Sequence, residues 1–338
     1  RIDTNTVAST GLISYSSSSD KFLICNAAIL NKTDLKNMSL IRKEQTDIFE
    51  ASFDTLSITG IKAGNNFYGN LDVRASNMKI TGLVFANFRN KNLPRPPDQV
   101  RSMFSGIINS IPMDLEIDTI LIRDAIVQYT ELEKGRSRPG SVTLDEIDLR
   151  ITDLSTISEE RGSEFRVDMS CQLNGSGKLL SSITVPYKDD KFIMNLVVRG
   201  LDARVLTRTT EPILGVDITS GKIRHLNFTM NASERSAHNY LVFQYEDLSI
   251  LLNDPEMHKT HQGLISHIAN SAIRTSNLPE QRNYTSASYT TTRDLNRGPF
   301  NFIWSSLRDG IVQIVPTKSA KKIMEIDKRK QEKRRRKK

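Results

Sequence analysis

Apolar and polar residues alternate along most of this 338-residue chain, and a period of two is the pattern of a strand with one buried face. The clearest runs are Phe165 to Leu173, Phe192 to Val198 and Leu241 to Tyr245. Turn-forming text separates them: Asn174-Gly175-Ser176-Gly177, Lys188-Asp189-Asp190, Thr219-Ser220-Gly221, and Gly135 to Gly140 around Pro139. Short strands joined by brief turns favour an antiparallel meander. The hydrophobic fraction of 38% is low for a thick globular core and too high for disorder.

The strand text also repeats. Phe53-Asp54-Thr55-Leu56-Ser57-Ile58 returns 64 residues later as Ile117 to Ile122, and Met78 to Leu83 returns 71 residues later as Leu149 to Leu154. Val142, Leu144, Ile147, Leu149 and Ile151 share their spacing with Phe243, Tyr245, Leu248, Ile250 and Leu252, offset by 101. Leu71, Val73, Met78 and Ile80 fit the same template, with Ser76 breaking it. In each copy the alternation slips by one residue, after Val73, Leu144 and Tyr245. A one-residue slip turns every later side chain to the other face unless a bulge absorbs it and bends the strand. The expected fold is therefore mainly β: an elongated, curved antiparallel sheet of repeated units forming a groove, with a few amphipathic helices.

Three stretches switch to helical spacing: Val100 to Ile111 behind Pro96-Pro97-Asp98, Met257 to Ala272, and Phe300 to Ile314 before Pro316. The expected organisation is repeated β units over 1–273 with covering helices near 97–111 and 256–273. A polar linker at 274–298, an amphipathic helix at 299–316 and a disordered basic tail at 317–338 complete it.

The overall charge of +8 belongs to that tail. Residues 318–338 hold twelve Lys or Arg against three acidic residues, a net of +9, which leaves the rest of the chain near −1. The tail, ending in Lys333, Arg334, Arg335, Arg336, Lys337 and Lys338, admits a nucleic-acid arm, a membrane-surface clamp or a solvated terminus. No RRM, KH or zinc-finger text accompanies it, so nucleic acid is not an expected partner. No apolar run approaches the ~18–20 residues that cross a bilayer, and the chain opens on Arg1, so any export signal or anchor is expected upstream.

Nothing points to catalysis. His258, His261 and His267 lack the Glu of HExxH and have no Cys nearby, and no Walker, GxSxG or GxGxxG text occurs. Asp148 and Asp168 occupy solvent-phase strand positions. Cys25 and Cys171 are far apart, and Cys171 sits at an inward-phase position. No cofactor, metal or catalytic residue is expected.

At the repeated units the text resembles the AsmA-like family of Gram-negative envelope proteins (the TamB and YhdP type). The residues that carry the likeness are Ile117 to Thr130, Val142 to Leu154, Val216 to Ile223, Tyr245 to Leu248 and the closing Phe300-Asn301-Phe302-Ile303-Trp304. It covers roughly residues 50 to 315. The resemblance implies a periplasmic protein, tethered to the inner membrane by a helix missing from this chain, whose sheet folds lengthwise into an apolar groove. The implied role is passage of phospholipid toward the outer membrane, or assembly of outer-membrane proteins with their assembly components as partners. The family supplies no catalytic residues.

On the chain's own alternation, the candidate lipid-lining residues are Phe165, Val167, Met169, Phe192, Met194, Leu196, Val198, Leu226, Phe228, Leu241 and Phe243. Candidate membrane-surface residues are Phe300, Ile303, Trp304 and Leu307 with the tail cations. The same alternation serves an open groove or a core sealed by its own side chains.

Overall fold

In the computed structural model the described residues are 5–62, 72–157, 162–252 and 273–317. They build one sheet of fourteen strands with short helices on it. Strands β1 (Thr6–Ser9) and β2 (Leu12–Ser16) pair end to end along one side of β3 (Lys21–Asn31), and helix α1 (Leu35–Arg42) leads to β4 (Asp47–Lys62) on its other side. β5 (Asp72–Thr81) and β6 (Val84–Asn90) are two halves of one bent strand beside β4. Helix α2 (Phe104–Asn109) precedes β7 (Asp114–Leu132) and β8 (Gly140–Ser155). β9 (Glu164–Leu173), β10 (Ser176–Pro186) and β11 (Phe192–Asp202) follow. A 3-10 turn (Ala203–Leu206) and α3 (Thr207–Leu214) lead into β12 (Val216–Ala232) and β13 (Ser236–Leu252). Last come β14 (Ala287–Thr292) and α4 (Pro299–Ile314).

Spatial order follows chain order, and neighbours are antiparallel with one exception. β5 and β6 both run parallel to β7. A parallel pair cannot be joined by a hairpin, so residues 91–113 form a crossover that carries α2. This corrects the uninterrupted meander expected from the sequence.

A row of irregular residues crosses the sheet from edge to edge. The Gly11 amide bonds the carbonyls of Cys25 and Asn26, and the β3–β4 register steps over Asn26 and Asp54. Gly82 separates β5 from β6, Asp124 interrupts β7 against β8, and Glu146 interrupts β8 against β9. Gly177 shifts β10 against β9, Gly200 lies between the Arg199↔His225 and Leu201↔Ile223 pairs, and Asp247 follows the shifted end of β12–β13. Asn26, Gly82, Asp124, Glu146, Gly177, Gly200 and Asp247 all have φ between 51° and 68°. A left-handed residue inside a strand makes the extra step of a bulge and bends it. Aligned on neighbouring strands, the bends add into one transverse crease.

Left-handed residues, in the crease and outside it, explain the repeated text. Gly60 and Asp124, both left-handed, are 64 residues apart; Gly82 and Asp153 are 71 apart; Glu146 and Asp247 are 101 apart. These are the three offsets at which the sequence repeats, so what recurs is a strand segment ending in a left-handed step. The expected bulges after Leu144 and Tyr245 are these steps. The one expected after Val73 is absent: β5 keeps register with β4 from Thr59↔Asn77 to Ile61↔Ala75. The left-handed residue there is Gly60 on the neighbouring strand, where a Cβ would lie 2.6 Å from Ser76 Oγ.

Two further expectations change. The helix near 97–111 shrinks to Phe104–Asn109, because residues 94–103 run without regular structure and Met103 is extended (φ −81°, ψ −170°). The linker at 274–298 contains β14, whose alternating Ala287, Tyr289 and Thr291 complete the sheet against β13. The expected helix over 256–273 and the tail over 318–338 lie outside the described residues. Helix α4 forms where expected, with Pro299 in its first turn.

The crease gives a direct test. Asp247→Gly should be neutral or stabilising by up to ~1 kcal/mol, whereas Asp247→Val should cost ~1–2 kcal/mol, because a β-branched residue resists φ near +53°. Urea denaturation of the two variants measures the difference. Equal stabilities would remove the strain-bearing role assigned to this position.

Candidate functional site

Cross-strand partners share a face, so the pairing register itself shows where apolar side chains accumulate. One row runs Tyr15–Phe22–Ile58–Met78–Ile120–Ile151–Val167–Ile183–Met194–Met230. A second, one rung along, runs Ile13–Ile24–Leu56–Ile80–Ile122–Leu149–Met169–Ser181–Leu196–Phe228–Leu241–Ala287. Between them on the opposite face lies Ser57–Lys79–Leu121–Arg150–Asp168–Ser182–Asn195–Thr229–Tyr240–Ser288. One face is therefore apolar from β2 to β14 and the other is polar.

Burial along the apolar rows is graded. Phe228, Met230 and Leu241 are fully buried, and Met194 and Leu196 nearly so. Met169, Leu149, Ile122, Ile80, Leu56 and Ile24 are half-buried, and Ile13 and Tyr15 are 57% and 59% exposed. The face is sealed at the β14 end and uncovered toward β2.

The seal comes from the helices. Helix α4 lies on β12, β13 and β14, burying Phe302, Ser306, Gly310 and Ile314. Gly310 sets the close approach: a Cβ there would sit 2.7 Å from Leu241 Cδ2 and from the Tyr289 ring. The Tyr289 hydroxyl donates to the Ser306 carbonyl at 2.6 Å. α2 adds Phe104, whose ring meets Phe192 edge-on at 5.1 Å and Phe300 at 5.6 Å. At the other ends of the strands α3 packs on β8 and β12.

A buried cation ties these covers together. The Arg293 side chain is 1% exposed. It donates to the Glu234 carbonyl at 3.1 Å and to the Arg101 carbonyl, with Asp190 at 3.9 Å. Asp190 in turn accepts from Ser105 Oγ at 2.9 Å and the Met103 amide at 3.3 Å, at the start of α2.

All the lining residues expected from sequence fall on the apolar face. Val167 and Met169 are half-buried, and Phe165, Phe192, Met194, Leu196, Val198, Leu226, Phe228, Leu241 and Phe243 are buried in the sealed part. The uncovered stretch is lined instead by Ile13, Tyr15, Phe22, Ile24, Leu56, Ile58, Met78 and Ile80, none of which is among the lining residues expected from sequence. Their signal was the same alternation in shorter runs. Of the membrane-surface candidates, Ile303 and Leu307 pack on the core, whereas Phe300 and Trp304 face outward. The tail cations lie outside the described residues, as do His258, His261 and His267.

On the polar face Asp148 pairs with Arg123 at 3.1 Å, and Asp168 is exposed; with Arg150, Ser182 and Asn195 they rim a shallow depression. Among the described residues no three His, Cys, Asp or Glu side chains converge. No helix among them is long and apolar enough to cross a membrane. Burial pushes the Cys171 thiol up to about 11. Burial likewise pushes the Tyr245 hydroxyl up to about 12, and among the described residues that hydroxyl has no hydrogen-bond partner.

No protein-family model matches this chain, and no curated protein is significantly similar to it. The fold and its graded apolar face define a class by themselves: a creased, amphipathic, antiparallel-rich sheet closed by helices at one end.

Two substitutions test this arrangement. Arg293→Ala should destabilise by roughly 2–4 kcal/mol, because it strands buried carbonyls and Asp190. Tyr245→Phe should be neutral or stabilising by about 1 kcal/mol, since it deletes an unpaired buried hydroxyl. Thermal and urea denaturation read both signs; a destabilising Tyr245→Phe would mean that the hydroxyl has a partner.

Proposed function

We propose that this protein is non-catalytic and holds or conducts phospholipid acyl chains along its apolar face, in the periplasm between inner and outer membranes. The observation that carries this reading is the pair of apolar rows, one from β2 to β12 and the other from β2 to β14 with only Ser181 interrupting it, half-buried over β3 to β5 and exposed at β2. The envelope setting rests on the resemblance of the repeated units to AsmA-like proteins. Exposing acyl chains to water costs ~0.8 kcal/mol per methylene, so two long chains cost roughly 20 kcal/mol or more. A lipid that moves from one apolar rung to the next stays desolvated, which removes most of that barrier. The polar outer face keeps such a carrier in water.

A second reading, assembly of outer-membrane proteins by strand pairing, is favoured by one feature. Edge strand β2 (Leu-Ile-Ser-Tyr-Ser) carries no charge, and Leu12, Ile13 and Tyr15 are exposed on it. Uncharged apolar edges accept an added strand.

Photo-crosslinkers separate the two. Placed at Ile24 and Leu56, they should capture phospholipid, and native mass spectrometry of the intact chain should show bound lipid. Ile58→Asp should lower the bound lipid several-fold. Capture of polypeptide at Ser14 with no lipid at Ile24 or Leu56 would favour strand pairing. A protein that purifies without lipid and takes up none when offered it would refute lipid carriage.

A further inference from the structure

Helix α4 has a second face that its role as a cover does not use. The inward arc of Phe302, Ser306, Gly310 and Ile314 closes the sheet. On the outward side Phe300 is 74% exposed and Trp304 52% exposed, one helical turn apart. Arg297 lies just before the helix and Arg308 one turn beyond Trp304, so the stripe reads Arg297–Phe300–Trp304–Arg308 at spacings of three, four and four. Asp294 Oδ2 is 4.0 Å from Arg297 Nε, whose side chain is 24% exposed, and Arg308 donates to Asp309 Oδ1 at 3.1 Å with 47% of its side chain exposed. Exposed apolar residues continue into the neighbouring segment at Val100 and Ile107, joined through the Phe104–Phe300 ring contact.

We propose that this outward face of α4 docks on an anionic lipid surface, with Phe300 and Trp304 inserted at the headgroup–acyl boundary and Arg297 and Arg308 at the phosphates. Two rings bury at most ~500 Å² together, short of the ~800 Å² per partner of a stable protein interface. That area suits a helix lying in a bilayer interface, where aromatic rings concentrate. Charge fits the same occupant. The chain leaving α4 carries twelve Lys or Arg against three acidic residues over 318–338, and a polybasic segment beside an apolar anchor makes the two-signal attachment that holds peripheral proteins on anionic membranes. The docking is independent of acyl-chain carriage: a protein that takes up no lipid would still attach, and a carrier without this face would still hold lipid.

Trp304 is the only tryptophan, so its fluorescence reports this site alone. The intact chain is mixed with vesicles of phosphatidylcholine, with and without phosphatidylglycerol. Trp304 emission should shift to the blue with the anionic vesicles only and be quenched by brominated acyl chains. Phe300→Ser should weaken vesicle binding about tenfold in a protein that still melts cooperatively, its melting temperature lowered only by loss of the Phe104 ring contact. Deleting 318–338 should weaken it further at low salt than at high salt. Vesicle-insensitive Trp304 emission, flotation with Trp304 unquenched, or equal flotation of the Phe300→Ser or truncated protein would each overturn the proposal.

Discussion

A fourteen-stranded sheet with one apolar face cannot lie flat in water, and the need to shield that face governs the rest of the structure. The crease is the response. Asn26, Asp124, Glu146 and Asp247 each adopt a left-handed backbone, at a cost of ~1–2 kcal/mol per residue. Each Leu, Ile or Phe side chain fully covered contributes ~1.5–3 kcal/mol, and Phe228, Met230, Leu241, Phe302 and Ile314 are among many that are. Shielding therefore outweighs strain. Three of the four strained residues are Asn or Asp, the side chains that tolerate this conformation best.

Shielding is completed at one end only. Helix α4 can sit on β12–β14 because Gly310 brings its backbone against Leu241 and Tyr289. The crossover forced by the parallel β6–β7 pair brings α2 to the same region, where Asp190 and the buried Arg293 fasten it. Toward β2 the described helix is α1, which packs on β4 and β6, and Ile13 and Tyr15 remain exposed. The graded burial is what gives the apolar face the character of a gutter with one closed end.

Much of this was legible in the sequence, for physical reasons that can be named. Strand alternation revealed the apolar face, and a repeated one-residue slip revealed the bends after Leu144 and Tyr245. The slip near Val73 misled because the left-handed step belongs to Gly60 on the adjacent strand, which no single-strand pattern can show. The parallel pairing of β5 and β6 with β7 was invisible because pairing is non-local. α1 and α3, at eight residues each, are too short to develop a periodic stripe. On α4 the apolar stripe suggested Phe300 and Trp304 as neighbours of Ile303 and Leu307. Packing instead rotated the helix so that Phe302 faces in. The residues of the uncovered stretch were passed over because the longest alternating runs drew attention to the sealed part.

The central claim is that one apolar face runs the length of the sheet, open at β2–β5 and sealed at β11–β14. Single cysteines introduced at Phe22, Ile58, Met78, Ile120, Val167, Met194 and Met230, in a background with Cys25 and Cys171 replaced, sample one row from end to end. The half-buried Phe22, Ile58, Met78 and Val167 positions should react with a water-soluble maleimide in the folded protein, and the buried Ile120, Met194 and Met230 positions only on unfolding. Uniform protection along the row, or uniform reactivity, would contradict the account.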